Sequence, residues 1–330
     1  MPDKPTELER IDRAISTQLD VLRHSADVEA RVLVLLEEMR KDLISQLAIN
    51  DLKAATKTRL NILLRDTNAT IDQYYRQAQD IVSPSYSTVA NVSAAQTATA
   101  MTVSMPSKAV LNALVTDLLI EGSPARAWWA KMSTDTAFRF SAAVRQGIAQ
   151  GETMSQIFNR VNEAVDIAGR NSTALVHTSV MQVMNDARMK VQESNATESS
   201  QTQYLATLDG RVCILCAPRD GLRWYTKSKK PVGHTLEWRL PPLHMNCRCT
   251  TLAVTAFTDI AGGGRASQFG VVEGSTTFSD FLKRQTPEFI EEVLGAKRAE
   301  LFQSGKITLR DLISGKGAPL TLDQLKSKYN

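Results

Sequence analysis

The sequence predicts a mainly α chain with one small β-containing, zinc-type lobe, an α+β architecture. Three observations predict it. Apolar residues recur at three- and four-residue intervals over most of the first 195 positions, the period of helices with one buried face. Two short runs with strand character, residues 204–208 and 252–255, break that period. Between them lie all four cysteines, Cys213, Cys216, Cys247 and Cys249, spaced as metal ligands are.

Residues 1–83 read as a helical arm. Thr6 and Glu9 make a capping box, and Leu8, Ile11, Ile15, Leu19 and Leu22 follow on one stripe. A second stripe runs through Val28, Val32, Leu35, Leu36, Met39, Leu43 and Leu47, with Glu29, Glu37, Glu38, Arg40 and Lys41 on the other side. Asn50-Asp51 suits an N-cap, after which Leu60, Leu63, Leu64, Ile71 and Tyr75 continue the pattern. A helical hairpin or a three-helix unit fits. A plain structural bundle is the simpler reading of the arm, and a docking surface for partner helices the functional one.

Residues 84–106 shift to Ser, Thr, Ala and Val with almost no charge. Hydroxyls compete for backbone groups and weaken a helix, so this stretch is expected to be a hinge or linker. The main domain, 107–258, opens at Pro106-Ser107 with a helix burying Val110, Leu111, Leu114, Val115 and Leu118, closed by Gly122-Ser123-Pro124. Residues 125–195 then read as three helical pieces. The first carries Trp128, Trp129, Phe138, Ala142, Val144 and Ile148 and ends at Gly151. The second starts at a Thr153–Gln156 capping box, and the third runs from Ser172 to Glu193 and contains His177. Residues 259–330 form a tail of short helices at 278–283, 287–294, 296–303 and 322–328, preceded by a flexible Gly262-Gly263-Gly264-Arg265 turn.

The Cys/His lobe spans 204–258. Cys213-x-x-Cys216 can turn both sulfurs toward one point, and His244-x-x-Cys247 can complete a tetrahedral zinc. Five donors, Cys213, Cys216, His244, Cys247 and Cys249, compete for four positions. Cys213, Cys216 and Cys247 lead, with His244 or Cys249 as the fourth. A structural zinc is the expected cofactor, because a long loop without a large core needs a staple. Between the two halves lie Arg219, Arg223, Lys227, Lys229, Lys230 and Arg239, interleaved with Trp224, Tyr225 and Trp238. Such a mixture can contact phosphates and unstacked bases, and it can equally cover the outside of a metal-tied loop.

With 43% hydrophobic and 22% charged residues in 330, the chain reads as globular with more than one core. A net charge of +4 permits contact with double-stranded DNA but does not mark a nucleic-acid coat. No run of eighteen apolar residues appears and the start lacks a signal-peptide core. Synthesis in a cytoplasm, with reduced thiols and no membrane partner, is therefore expected.

From Thr207 to Cys249 the chain resembles the phage Mu F-like minor head proteins, the head morphogenesis family. Asp209, Arg211, Cys213, Cys216, Asp220-Gly221, Pro241-Pro242, His244, Asn246 and Cys247-Arg248-Cys249 stand at the matching places. Upstream, residues 147–151, His177-Thr178 and Asn185 are similar to that family's helical approach. Downstream, 278–282, Gln285, Leu294-Gly295, Arg298, Leu301-Phe302, Gly305-Lys306 and 320–325 resemble its tail. The resemblance implies a minor capsid protein of a tailed bacteriophage, made in the host cytoplasm and located in the virion at the portal vertex or capsid interior. It would act in procapsid assembly with portal, major capsid or scaffold protein, and in DNA packaging or ejection. No catalytic residue is expected, since no His-Glu-x-x-His is present and a thiolate-rich set matches a closed site. The alternative is a treble-clef zinc nuclease or a DNA-binding protein, for which His234 and His244 are the only nearby imidazoles.

Overall fold

The computed structural model describes residues 7–50, 56–254 and 264–329, with side chains from residue 16 to residue 327 within those spans. In chain order the elements are α1 Glu7–Ala48, α2 Lys57–Met101, α3 Lys108–Thr116, β1 Leu119–Ile120, β2 Ser123–Pro124, α4 Ala125–Ala149 and α5 Met154–Ser194. Then come β3 Gln201–Leu205, β4 Arg223–Tyr225, β5 Thr250–Val254, β6 Gly264–Ser267 and β7 Gly270–Glu273. The tail holds α6 Phe278–Lys283, α7 Pro287–Leu294, α8 Ala296–Gln303 and α9 Leu322–Tyr329. The mainly helical α+β class expected from the sequence is the one observed. The chain divides into two compact units, one of residues 22–89 and 115–180, the other of residues up to 21, 90–114 and 181–330. No helix of the described residues is long and apolar enough to cross a membrane.

The first unit is a bundle. Val28, Val32, Leu36, Met39, Leu43 and Leu47 of α1 are buried at the predicted spacing, as are Leu64, Ile71, Tyr75, Val82 and Val89 of α2. Both apolar stripes of the arm fall on the single helix α1, so the arm is a two-helix hairpin rather than a three-helix unit. Tyr74 Oη donates to Asp42 across it at 2.5 Å, and Gln46 Nε2 to Thr70 at 2.9 Å. The expected Thr6 cap and the Asp51 N-cap lie outside the described residues. Against this hairpin pack Trp129, Phe140 and Val144 of α4 and Ile157, Val161, Val165 and Val176 of α5. Trp129 is buried, while Trp128 is half-buried and donates its indole N–H to Ile120 O at 2.8 Å. The Thr153–Gln156 capping box forms. The two pieces expected after it are one helix, because Gly169 continues α5 with its Cα face against Leu33.

The hinge expected at 84–106 is largely helix. Residues 84–101 belong to α2, with Pro84 inside it. The hydroxyls that argued against helix instead fold back onto its own carbonyls, Ser85 onto Val82, Thr88 onto Pro84 and Thr97 onto Ser93. Ala90, Ala94 and Ala98, one turn apart, make a smooth buried stripe in the second unit.

That second unit carries the lobe. Its sheet has the order β4-β3-β5, all antiparallel, with Leu205 opposite Thr250 and Gln201 opposite Val254. Tyr204, Trp224, Leu236, Phe278, Phe281, Leu282 and Leu312 form the core beneath it. Three tail helices, α6, α7 and α8, take the bounds predicted from sequence, and α9 runs one residue further. Thr277 and Thr286 cap two of them through side-chain hydrogen bonds to Asp280 N and Phe289 N. Of the flexible Gly262-Gly263-Gly264-Arg265 turn expected before them, Gly264 and Arg265 are strand and open the β6–β7 hairpin, while residues 255–263 lie outside the described residues.

Candidate metal centre

The central strand β3 decides where the two halves of the Cys/His motif meet. Its end, Leu205, pairs with Thr250, the residue after Cys249. The chain leaving β3 and the chain entering β5 are therefore side by side. The first half is a tight turn in which the N–H groups of Cys216 and Ala217 both reach the Cys213 carbonyl at 3.0 Å. The second closes with Cys247 N donating to His244 O at 3.2 Å. Asn246 takes φ 61° in that turn, a conformation Asn tolerates better than most side chains. Asp209 and Arg248 clamp the halves together through a bidentate pair at 2.6 and 2.7 Å.

All five donors converge. The ligand atoms of Cys213, Cys216 and His244 lie within 4.8 Å of one another, as do those of Cys216, Cys247 and Cys249, so Cys216 belongs to both groups. Cys216 Sγ is 3.5 Å from His244 Nε2 and 3.8 Å from Cys247 Sγ. A tetrahedral zinc with ordinary bond lengths has S···N and S···S edges of about 3.6 and about 3.8 Å. His244 Nδ1 lies 2.7 Å from the Met245 carbonyl. A proton on Nδ1 donated there leaves Nε2 as a lone pair facing the sulfurs, as in metal-ligating histidines. No disulfide links the cysteines. The donor set fits a divalent cation of zinc's preference.

Electrostatics point the same way. Hydrogen bonding from Cys216, then from His244, pulls the Cys213 thiol down to about 4. Contacts with Cys213 and Cys247 push His244 up to about 11. Cys247 is lowered, chiefly by Cys216, while Cys216 is raised by donating to Cys213 and Cys247. A cation bound there would displace protons from Cys216 and His244. Cys249 interacts with Cys216, Cys247 and the phenol of Tyr204.

The basic candidates separate. Lys227, Lys230 and Arg239 are exposed, Arg223 and Lys229 half-buried. Arg223 donates to Gln203 at 3.2 Å, and Lys229 bonds Glu193 at 2.6 Å and sits 5.3 Å over the Trp238 ring. Arg219 is fully buried, so it cannot be a nucleic-acid contact as the sequence suggested. The 3-10 turn Ala217–Arg219 that follows the first cysteine pair points it inward. Trp224 is also core, edge-on to His234 at 4.7 Å and Trp238 at 5.3 Å, with its indole N–H on Leu236 O. His234 uses both ring nitrogens, Nε2 on Arg223 O at 2.9 Å and Nδ1 accepting from Leu236 N at 3.2 Å.

Sequence reasoning missed the hub beneath the lobe. Asp220 Oδ1 accepts from Ala206 N and Arg265 Nη2, both at 2.7 Å, and Oδ2 accepts from Phe278 N at 2.6 Å and Arg265 Nη1 at 3.0 Å. Arg265 also donates to the carbonyls of Ala206 and Thr276. Its position after three glycines signals a loop, and nothing local signals burial. In the bundle, His177 Nδ1 lies 3.7 Å from Glu29 Oε1, a carboxylate far from it in sequence.

Residues 139–252 match the family model described as Phage Mu protein F like protein. The span runs from α4 into β5 and contains all five donors, so the resemblance to the phage head morphogenesis family holds over that stretch. The tail, 278–325, lies beyond it. Neither the curated proteins nor the solved structures include a match to the chain.

Proposed function

We propose that this chain is a minor head protein of a tailed bacteriophage, with no chemistry of its own, working in procapsid assembly at the portal vertex or the capsid interior. The observation that carries this reading is the Mu F-like segment, 139–252, with the donor cluster inside it. Its partners would be portal, major capsid or scaffold protein. The exposed Lys227, Lys230 and Arg239 offer a modest basic surface to packaged DNA.

Within this reading the cluster holds a structural zinc through Cys213, Cys216, Cys247 and His244, with Cys249 left outside. The support is that Cys216 Sγ lies 3.5 Å from His244 Nε2 and 3.8 Å from Cys247 Sγ, and that Cys213, Cys216 and His244 have their ligand atoms within 4.8 Å of one another. A closed zinc would cross-link two loops and leave no open position, supplying folding energy on the order of ten kcal/mol. The nuclease alternative needs a second imidazole with a free nitrogen beside the cluster, and both nitrogens of His234 are engaged elsewhere.

Two measurements test this. The protein should be found in purified particles and in empty shells alike, and its absence from both ends the head-protein reading. Purified protein should carry one zinc per chain, lost in the Cys213→Ser, Cys216→Ser variant; plasmid nicking abolished by His244→Ala would instead favour the nuclease.

A further inference from the structure

Cys216 stands where the two donor groups overlap. Its sulfur is 3.8 Å from Cys247 Sγ. It lies within 4.8 Å of the ligand atoms of Cys213 and His244 on one side, and of Cys247 and Cys249 on the other. Depth orders the same sulfurs: Cys213 is half-buried, whereas Cys216, Cys247 and Cys249 are buried. A chain of thiols therefore runs inward from Cys213 through Cys216 to Cys247. Its inner step joins the two halves of the motif, across 31 positions of sequence. Thiols in such reach of one another can pass a disulfide along by exchange, entry being at the accessible sulfur.

We propose that the cluster is an oxidation-sensitive staple, in which a peroxide entering at Cys213 leaves a disulfide between Cys216 and Cys247. This rests on the zinc reading above, since the bridge takes over the link that the metal makes. The Cys213 thiolate attacks hydrogen peroxide; the O–O bond breaks, giving a sulfenic acid and a hydroxide that takes a solvent proton to become water. The Cys216 sulfur then attacks that sulfur, and the S–O bond breaks with loss of a second water. Cys247 next attacks Cys216, the Cys213–Cys216 bond breaks, and Cys213 returns as a thiolate. That last step moves negative charge from a buried sulfur to a half-buried one, the cheaper place for it. Two cysteines have lost two electrons, the peroxide has become two waters, and zinc, short of two thiolates, is released. The sulfurs of Cys216 and Cys247 close from 3.8 Å to about 2.0 Å, and the halves stay tied covalently. The device suits a protein that is assembled among reduced thiols and later leaves them, as a particle leaving a cell does.

The test treats the full-length protein with hydrogen peroxide and maps its disulfides by mass spectrometry without reduction, while a chromogenic chelator follows zinc. Wild type should give the Cys216–Cys247 bridge, one zinc released per bridge, and full reversal by dithiothreitol. Cys249→Ser, outside the proposed ligand set, should give the same bridge. Cys216→Ser should form no bridge and accumulate at Cys213 a sulfenic acid that dimedone traps. Should that variant fail to fold, a brief dimedone pulse during oxidation of wild type reads the same intermediate. A bridge confined to Cys213 and Cys216, a bridge to Cys249, or sulfinic acid without any bridge overturns the inference. Wild type that carries no zinc yet forms the Cys216–Cys247 bridge refutes the zinc reading and leaves the relay standing.

Discussion

Replacing Asp220 by Ala should unfold the lobe at much lower denaturant than wild type requires. Its carboxylate is almost fully enclosed, as is the Arg265 guanidinium, at 1% and 8% side-chain exposure. Removing it leaves that cation buried without its partner, a loss of about 3–5 kcal/mol. It also strips the acceptors from the N–H groups of Ala206 and Phe278, each costing about 1–3 kcal/mol if no water reaches it. Even the lower figure is a large share of a domain's stability, which is about 5–15 kcal/mol. For a unit of this size it corresponds to a fall in Tm of about 6–12 °C. Urea unfolding followed by tryptophan fluorescence reads the change, since Trp224 and Trp238 sit in the same core. The double variant Asp220→Leu, Arg265→Met removes both charges and should recover part of the loss, the remainder reflecting the orphaned backbone groups. A loss below about 1 kcal/mol in the single variant, the range of an exposed pair, or a double variant no better than the single one, would refute the reasoning.

Three further outcomes follow from the same geometry. Burial pushes Asp186 up to about 6 against an ordinary value of 3.8; the folded state then holds its proton more tightly, so this group's contribution falls as pH rises from about 4 to about 6. Asp186→Asn should gain up to about 3 kcal/mol at pH 7 and nothing at pH 4 in urea titrations, and equal stability at pH 7 would contradict this. Asp209 is held below its ordinary 3.8, burial being outweighed by Arg248, so its contribution is present above about pH 4 and lost as pH falls through the depressed value. Asp209→Asn should be the less stable protein at pH 7, with the gap closing towards pH 3; a gap independent of pH argues against the clamp. Asn246→Val, forced to φ 61°, should cost about 1–2 kcal/mol and weaken metal uptake, whereas Asn246→Gly should bind metal as wild type does, measured by chelator competition.

Where the physics is local, the sequence was a good guide. Thr286 before Pro287 sets the start of α7, and Gly295 ends it, signals that need no tertiary partner. The same local reasoning misread residues 84–101, because a hydroxyl can either compete with a helix or bond back into it, and only a buried alanine face beside it tips the choice. It also left out β4 and the β6–β7 hairpin, whose strands are too short to show alternation and exist through pairing with distant segments.

The sequence by itself determined the helical stripes and the five donors, because helix period and ligand spacing are written within a few residues of one another. It determined as well the likeness to phage head proteins, which residues 139–252 carry. Tertiary structure alone decided that both halves of the motif meet at the end of β3, that Arg219 points inward, and that Asp220 finds Arg265. Those outcomes depend on burial and on charges brought together across long stretches of chain, and a side chain's neighbours across such separations leave no mark on its own local pattern.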